Sequence, residues 1–152
     1  MFELTKIEEK FERHGGVLRT SDLTDMGLST RQIERLRADG VLTRVKHGDY
    51  TRADFFTPED VIVERLSPRA VLFLERALSY YEYIDRIPSA WQIAVDKDSA
   101  KSKYNIRYPR VAPFYIEPRF LDIGVDTYDV DGVSVKIYNR ERTICDVLRY
   151  ER

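Results

Sequence analysis

Hydrophobic positions in the first 52 residues follow two different periods. Apolar residues recur every three or four positions over 4–13, 20–26 and 30–39, which predicts three short helices. From residue 41 the period changes, because VLTRV alternates as a strand does, KHGD is typical of a loop, and YTR returns as a second strand. This part of the chain is therefore expected to form three helices followed by a β-hairpin.

Capping residues mark the boundaries of the second and third helices. Thr20 and Ser21 are candidate N-caps of the second helix, and Gly27 can end it in the left-handed conformation that costs glycine nothing. Ser29 can accept a hydrogen bond from a free backbone N–H and so begin the third helix, which Gly40 closes. Two helices, a tight turn and a hairpin predict a winged helix-turn-helix, whose second helix enters the major groove of DNA.

The outward face of the third helix and the hairpin that follows it supply the candidate DNA-binding residues. They are Thr30, Arg31, Gln32, Arg35, Arg44, Lys46 and His47. Arginine pairs bidentately with guanine and glutamine with adenine, whereas Lys46 and His47 at the tip of the wing are placed for phosphate. The competing interpretation is that Arg31 and Arg35 form a solvated face, paired with neighbouring carboxylates.

The second half of the chain predicts an α+β domain with two helices and a mainly antiparallel sheet. Thr57 is a candidate cap of the first helix. A second helix is expected to start at Pro68 and to run into the aromatic patch SYYEYI, with its apolar residues at Val71, Leu72, Leu74, Ala77 and Leu78. WQIAV and VAPFYI are predicted strands, with the proline of the second indicating a sheet edge. Asp131-Gly132 predicts the turn of a hairpin. We therefore divide the chain into domains 1–53 and 54–152.

The last helix is predicted to close the second domain. Asn139 is its candidate cap, and Ile144, Val147 and Leu148 form an apolar stripe of the kind that packs on a sheet. Cys145, the only cysteine, lies beside that stripe and is expected to be a small core residue.

Composition favours a soluble intracellular protein and gives weak support for DNA binding. The 152 residues carry a net charge of −1, and the chain has no run of apolar residues that could span a membrane and no signal peptide. The lone cysteine excludes an intrachain disulfide, and we expect a cytoplasmic location. In residues 1–52 ten Lys and Arg stand against nine Asp and Glu. Affinity for DNA is therefore expected to be modest for each copy, so that two or more copies bind together.

No pattern of an enzyme or a cofactor site is present. Two separated histidines and one cysteine cannot form a zinc site of ordinary spacing, and no glycine-rich phosphate loop follows a strand. The alternative is a nucleic-acid-processing enzyme with a nuclease-like second domain that the winged helix delivers to DNA. Its candidate Mg²⁺ ligands would be Glu117, Asp122, Asp126, Asp129 and Asp131. Turn carboxylates on a solvated rim are the simpler interpretation of these acids.

Three runs of the chain resemble the AbiEi-type antitoxins. They are TSDLTDMGLSTRQIERLRADGVLTRVKHGDYT, SPRAVLFLERALSYYEYIDRIP and GVSVKIYNRERTICDVLRY. Asp49 is a small departure within the first run. Members of that family usually continue with further helices after the third run, so we expect the chain to be C-terminally shortened.

The resemblance implies a transcriptional autorepressor and antitoxin of a type IV toxin–antitoxin, or abortive infection, system. The winged helix would bind repeated sites in the double-stranded DNA of its own promoter, with oligomerisation on that DNA. The second domain would counteract a nucleotidyltransferase-like toxin without a stable complex between the two proteins. No cofactor, metal or membrane association is implied.

Overall fold

The N-terminal part of the protein holds three helices against a small antiparallel sheet. A computed structural model of the protein describes residues 4–54 and 56–150. The elements of the first part, in chain order, are α1 (Leu4–Arg13), β1 (Leu18–Arg19), α2 (Thr20–Asp25), α3 (Thr30–Ala38), β2 (Leu42–Lys46) and β3 (Asp49–Arg52). The strand order is β1-β3-β2, so the predicted hairpin gains a short third strand that the pattern did not reveal.

The three helices enclose one apolar core over this sheet. Phe11 of α1, Leu23 of α2 and Ile33 of α3 are buried together with Tyr50 of β3. Leu4, which the helical pattern places on the apolar face of α1, is exposed because it lies in the first turn, beyond the edge of that core.

The turn between α2 and α3 forms as expected, but the start of α2 does not. Gly27 has a φ of +98°, and the N–H of Leu28 donates to the carbonyl of Leu23, as in a glycine-ended helix. The predicted capping by Thr20 and Ser21 is wrong, because both lie inside α2. The backbone N–H of Arg19 instead donates to Oδ2 of Asp22 at 2.9 Å, so Arg19 is the residue at the N-cap.

The second part of the chain is built on a five-stranded sheet. Its elements, in chain order, are α4 (Glu59–Leu66), β4 (Val71–Leu72), α5 (Glu75–Tyr80), β5 (Trp91–Asp96), a 3₁₀ turn (Lys101–Tyr104), β6 (Val111–Ile116), α6 (Pro118–Leu121), β7 (Val125–Val130), β8 (Val133–Tyr138) and α7 (Arg140–Tyr150). The sheet order is β6-β5-β4-β8-β7. Two of its four pairings are parallel and two are antiparallel, so the sheet is mixed rather than mainly antiparallel.

The helix predicted from Pro68 forms only from Glu75, as α5, and the apolar run before it contains a strand instead. Val71 and Leu72 form the central strand β4, which pairs with Ala94 and Ile93 on one side and, through Leu72, with Ile137 on the other. A short run of apolar residues is compatible with a buried strand and with a buried helix. Val71 and Leu72 form a strand because β5 and β8, which are distant in the sequence, pair with them. The described residues of this part hold four α-helices, because the short α6 adds to the two predicted before the sheet and the one predicted at the end.

Several local predictions for the second part are confirmed and one is not. Asp131 and Gly132 both have a positive φ and form the turn between β7 and β8. Oδ1 of Asn139 accepts a hydrogen bond from the N–H of Arg142 at 2.9 Å, as expected of the α7 cap. The predicted cap at Thr57 is wrong, because Pro58 occupies the N-cap of α4 and its carbonyl accepts from Ile62.

The two parts of the chain touch through a small apolar cluster and through backbone hydrogen bonds. Val17 and Val45 from the first part are buried against Ile62 of α4. The carbonyl of Val45 also accepts hydrogen bonds from the N–H groups of Arg107 and Tyr108, at 2.6 and 3.0 Å. The strand that precedes the hairpin tip is therefore held by the second part of the protein.

Helix α7 directs only one residue of the predicted apolar stripe toward the core, because Val147 is partly buried there but its neighbours in the stripe are not. Thr143 and Asp146 are buried, whereas Ile144, Cys145 and Leu148 are exposed, Leu148 by 68%. Nε of Arg142 donates to Oδ2 of Asp146 at 2.9 Å, which satisfies the buried carboxylate and allows a polar side to face inward. The predicted burial of Cys145 is therefore wrong.

No helix within residues 4–54 and 56–150 has the length and apolar character needed to cross a membrane.

Candidate nucleic-acid interface

A reciprocal pair of hydrogen bonds fixes the first turn of α3. Oγ of Ser29 accepts from the backbone N–H of Gln32 at 3.2 Å, and Oε1 of Gln32 accepts from the N–H of Ser29 at 2.8 Å. Each bond satisfies a backbone donor that has no partner within the helix. The predicted cap at Ser29 is confirmed, and it sets the direction in which α3 leaves the turn.

This cap changes what Gln32 can do. Bidentate pairing with adenine uses both the amide oxygen and the amide nitrogen of a glutamine side chain. In Gln32 the oxygen already accepts from Ser29, so only the amide nitrogen is left for another partner. Gln32 therefore serves first as a capping residue of α3.

Arg31 and Arg35 of α3 are exposed and have no close carboxylate partner among the described residues. Both side chains lie on the exposed face, opposite the buried Ile33. Arg35 is 84% exposed, and its Nε lies 3.9 Å from Oδ2 of Asp39, which is a loose contact in water. Arg31 has no ion pair within the described residues. The two guanidinium groups, one helical turn apart, are free to meet phosphates or base edges.

Glu34 lies between these two arginines in the sequence, but its carboxylate is paired with other cations. Glu34 accepts hydrogen bonds from Arg37, at 3.1 Å from Nε and more closely from Nη2, and this pairing lowers the pKa of its carboxyl. Nη2 of Arg44 lies 3.9 Å from the same carboxylate. Glu34 thus pairs with Arg37 and Arg44 rather than with the cations that face outward, and the position of Arg37 was not anticipated from the sequence.

The side chain of Arg44 packs against Tyr50 of the sheet. Its guanidinium carbon lies 5.8 Å from the ring centre of Tyr50, and its Nη2 lies 3.5 Å from the Tyr50 hydroxyl. These contacts join α3 to β2 and β3 and leave Arg44 only partly exposed. Arg44 therefore supports α3 from the side of the sheet and adds little to the exposed face of the candidate interface.

The hairpin tip is shorter than predicted. Lys46 ends β2 and Asp49 begins β3, so only His47 and Gly48 form the turn rather than all of KHGD. The N–H and hydroxyl of Thr20 both donate to the carbonyl of Gly48, at 2.8 and 3.3 Å, which fixes the tip against α2. His47 is exposed and Lys46 is half-buried.

Asp49 is an acid that begins β3 beside this tip. Its partial burial raises the pKa of its carboxyl, although Lys46 and Arg19 act in the opposite direction.

We expect Ser29→Ala to lower the free energy of unfolding by about 1 kcal/mol, because the N–H of Gln32 loses its acceptor. Urea unfolding followed by circular dichroism measures this loss. Ser21→Ala is the matched control, since Ser21 lies exposed inside α2 and should change stability by less than about 0.5 kcal/mol. A larger loss for Ser21→Ala than for Ser29→Ala would contradict the observed capping.

Comparison with known families identifies this N-terminal segment. Residues 6–53 match the family described as "Transcriptional regulator, AbiEi antitoxin". The resemblance to AbiEi antitoxins is confirmed for this segment. The AbiEi match spans α1 to β3 and includes every candidate DNA-binding residue from Thr30 to His47. Residues 54–152 lie outside the match, so their likeness to the family stays a prediction. The comparison with curated proteins gave no match.

The acids proposed for the alternative nuclease site are not brought together. Asp129 accepts from the N–H of Gly132 in the β7–β8 turn, and Glu117 pairs with Arg119 at 2.8 Å. Asp122, Asp126 and Asp131 are exposed. Within residues 4–54 and 56–150 no group of three or more His, Cys, Asp or Glu is placed to hold a metal ion.

Proposed function

We propose that the N-terminal domain, residues 1–53, is a winged helix-turn-helix that binds double-stranded DNA and regulates transcription. The observation that carries this proposal is the capped helix α3, which presents Arg31 and Arg35 without close carboxylate partners inside the segment that matches AbiEi antitoxin regulators. In a winged helix-turn-helix this helix enters the major groove, and the hairpin tip lies beside the phosphate backbone.

The contacts divide between base edges and phosphates. Arg31 and Arg35 can pair with guanine, with Thr30 and the amide nitrogen of Gln32 beside them at the N-terminal end of the helix. His47 and Lys46 at the wing lie where a phosphate is expected, and Arg44 supports the helix from behind. Phosphate contacts fix the register, whereas the arginines distinguish sequences.

We further propose that the DNA is the protein's own promoter and that the protein is the autorepressing antitoxin of a type IV toxin–antitoxin system in the cytoplasm. The near-neutral charge of residues 1–52 favours several copies bound to repeated sites over tight binding of one copy. Residues 54–152 would form the antitoxin domain, which acts without a stable complex with the toxin.

A gel-shift series tests DNA binding. We expect the full chain to bind a duplex from the region upstream of its gene more tightly than a shuffled duplex of the same length. We also expect binding to weaken steeply between about 50 mM and 200 mM salt, because counterions are released from the phosphates. Equal affinity for the two duplexes would contradict sequence-specific regulation.

A further inference from the structure

Four basic side chains from distant parts of the chain surround one cleft between the two parts of the protein. They are Arg19 of β1, Lys46 of β2, Arg69 before β4 and Lys103 of the 3₁₀ turn. The cleft has a volume of about 470 Å³, which lies in the range of small-molecule sites. None of the four cations has an ion pair within the described residues.

The floor of the cleft is apolar and contains one unsatisfied hydroxyl. Val95 and Ala70 are buried beneath it, with Leu66 beside them. Ser67 is 94% buried, and its Oγ has no hydrogen-bond partner within the described residues. A buried hydroxyl without a partner carries a desolvation cost, so the floor of the cleft holds a polar group that the fold itself leaves unsatisfied.

The side of the cleft formed by residues 96–104 carries hydrogen-bond acceptors as well as the cation Lys103. Oδ1 of Asp96 accepts from the N–H of Asp98 at 2.8 Å, and Oγ of Ser99 lies 2.8 Å from the hydroxyl of Tyr104. The carboxylates can accept from hydroxyl or amino groups, so this side suits a ligand with a polar body. The convex backbone of a DNA duplex offers phosphates but few such donors, and it fits a concave cleft poorly.

We propose that this cleft binds a phosphate-bearing small molecule of the size of a nucleoside monophosphate. Arg19, Lys46, Arg69 and Lys103 surround the phosphate, and Asp96 and Asp98 accept from the hydroxyl or amino groups of the rest of the molecule. Arginine and lysine are the side chains that recognise phosphate most strongly. The bound phosphate would tie the hairpin to the second part of the chain, next to the existing hydrogen bonds from Arg107 and Tyr108 to Val45.

Calorimetric titration of the full chain tests the site. The probes are AMP, GMP, CMP, UMP and inorganic phosphate, with adenosine as the phosphate-free control. We expect at least one nucleoside monophosphate to bind and adenosine not to bind. Failure of all four nucleotides at millimolar concentration would overturn the proposal.

Two variants in the second part of the chain locate the binding. Arg69→Gln and Lys103→Gln replace exposed cleft residues that are not among the proposed DNA-binding residues, and each should weaken nucleotide binding about tenfold. Lys97→Gln is the control, because Lys97 is exposed near the cleft but does not line it. Unchanged binding in the Arg69→Gln Lys103→Gln double variant would overturn the proposal.

A gel shift with the same variants separates this site from the DNA interface. The proposal requires nucleotide binding in the absence of DNA, so it survives even if no promoter duplex is bound. If the wild type bound no nucleotide and the double variant lost affinity for DNA, the cleft would be a contact for DNA phosphates and the small-molecule site would be excluded.

Discussion

Phe73→Ala is expected to lower the free energy of unfolding by about 3–5 kcal/mol. Phe73 is fully buried, and its ring centre lies 5.3 Å from that of Phe114, 5.8 Å from Tyr138 and 5.5 Å from Tyr150. The substitution leaves a cavity where β4, β6, β8 and α7 meet, and the neighbouring rings can close it only in part. Urea unfolding followed by circular dichroism measures the loss.

Leu148→Ala is the matched control for this cavity. Leu148 belongs to the apolar stripe of α7 that the helical pattern assigns to the core, but it is 68% exposed. Its truncation should change the free energy of unfolding by less than about 0.5 kcal/mol. If Leu148→Ala cost as much as Phe73→Ala, α7 would be packed through the stripe and not through the face that the structure shows.

The features that the sequence predicted well are governed by neighbours in the chain, although the local caps expected at Thr20, Ser21 and Thr57 did not form. The α3 cap at Ser29, the turn at Gly27 and the hairpin at Asp131-Gly132 each depend on side chains and φ angles within four residues. Such local signals need no knowledge of the rest of the fold. The outward position of Arg31 and Arg35 follows from the same local information, because the helical period alone places them opposite Ile33.

Features governed by distant partners could not be predicted in the same way. Val71 and Leu72 became a strand because β5 and β8 flank them, and β8 lies more than 60 residues away along the chain. The buried face of α7 depends on Arg142, whose Nη1 donates to the carbonyls of Phe120 and Ile123 and whose Nε pairs with Asp146. A helical wheel shows the polar and apolar stripes but not which of them has a partner.

The candidate interface shows both kinds of result. The sequence indicated its cations, but the pairing of Glu34 with Arg37 and the stacking of Arg44 on Tyr50 appear only in three dimensions. The cleft lined by Arg19, Lys46 and Lys103 could not be predicted from the sequence either, because its residues come from separate segments of the chain.

Arg31→Ala combined with Arg35→Ala is expected to weaken binding to the promoter duplex by about 2–6 kcal/mol, if each arginine reads one base pair. Both side chains are exposed and neither has a close ion pair, so the variant should keep the stability of the parent. Competition gel shifts give the affinity for the promoter and for shuffled DNA, and thermal melting checks the fold. The loss should be larger on the promoter, because arginines that read bases contribute most to the specific complex.

A control with the same net charge distinguishes base reading from a general charge effect. Arg140→Ala with Arg149→Ala removes two cations from α7, where each guanidinium lies near a tyrosine ring rather than on the proposed interface. This variant should bind the promoter almost as the parent does. Equal losses in the two double variants, on promoter and shuffled DNA alike, would mean that α3 contributes only charge. The recognition helix would then have to be sought elsewhere, because the groove-facing role of α3 rests on the specific contacts of Arg31 and Arg35.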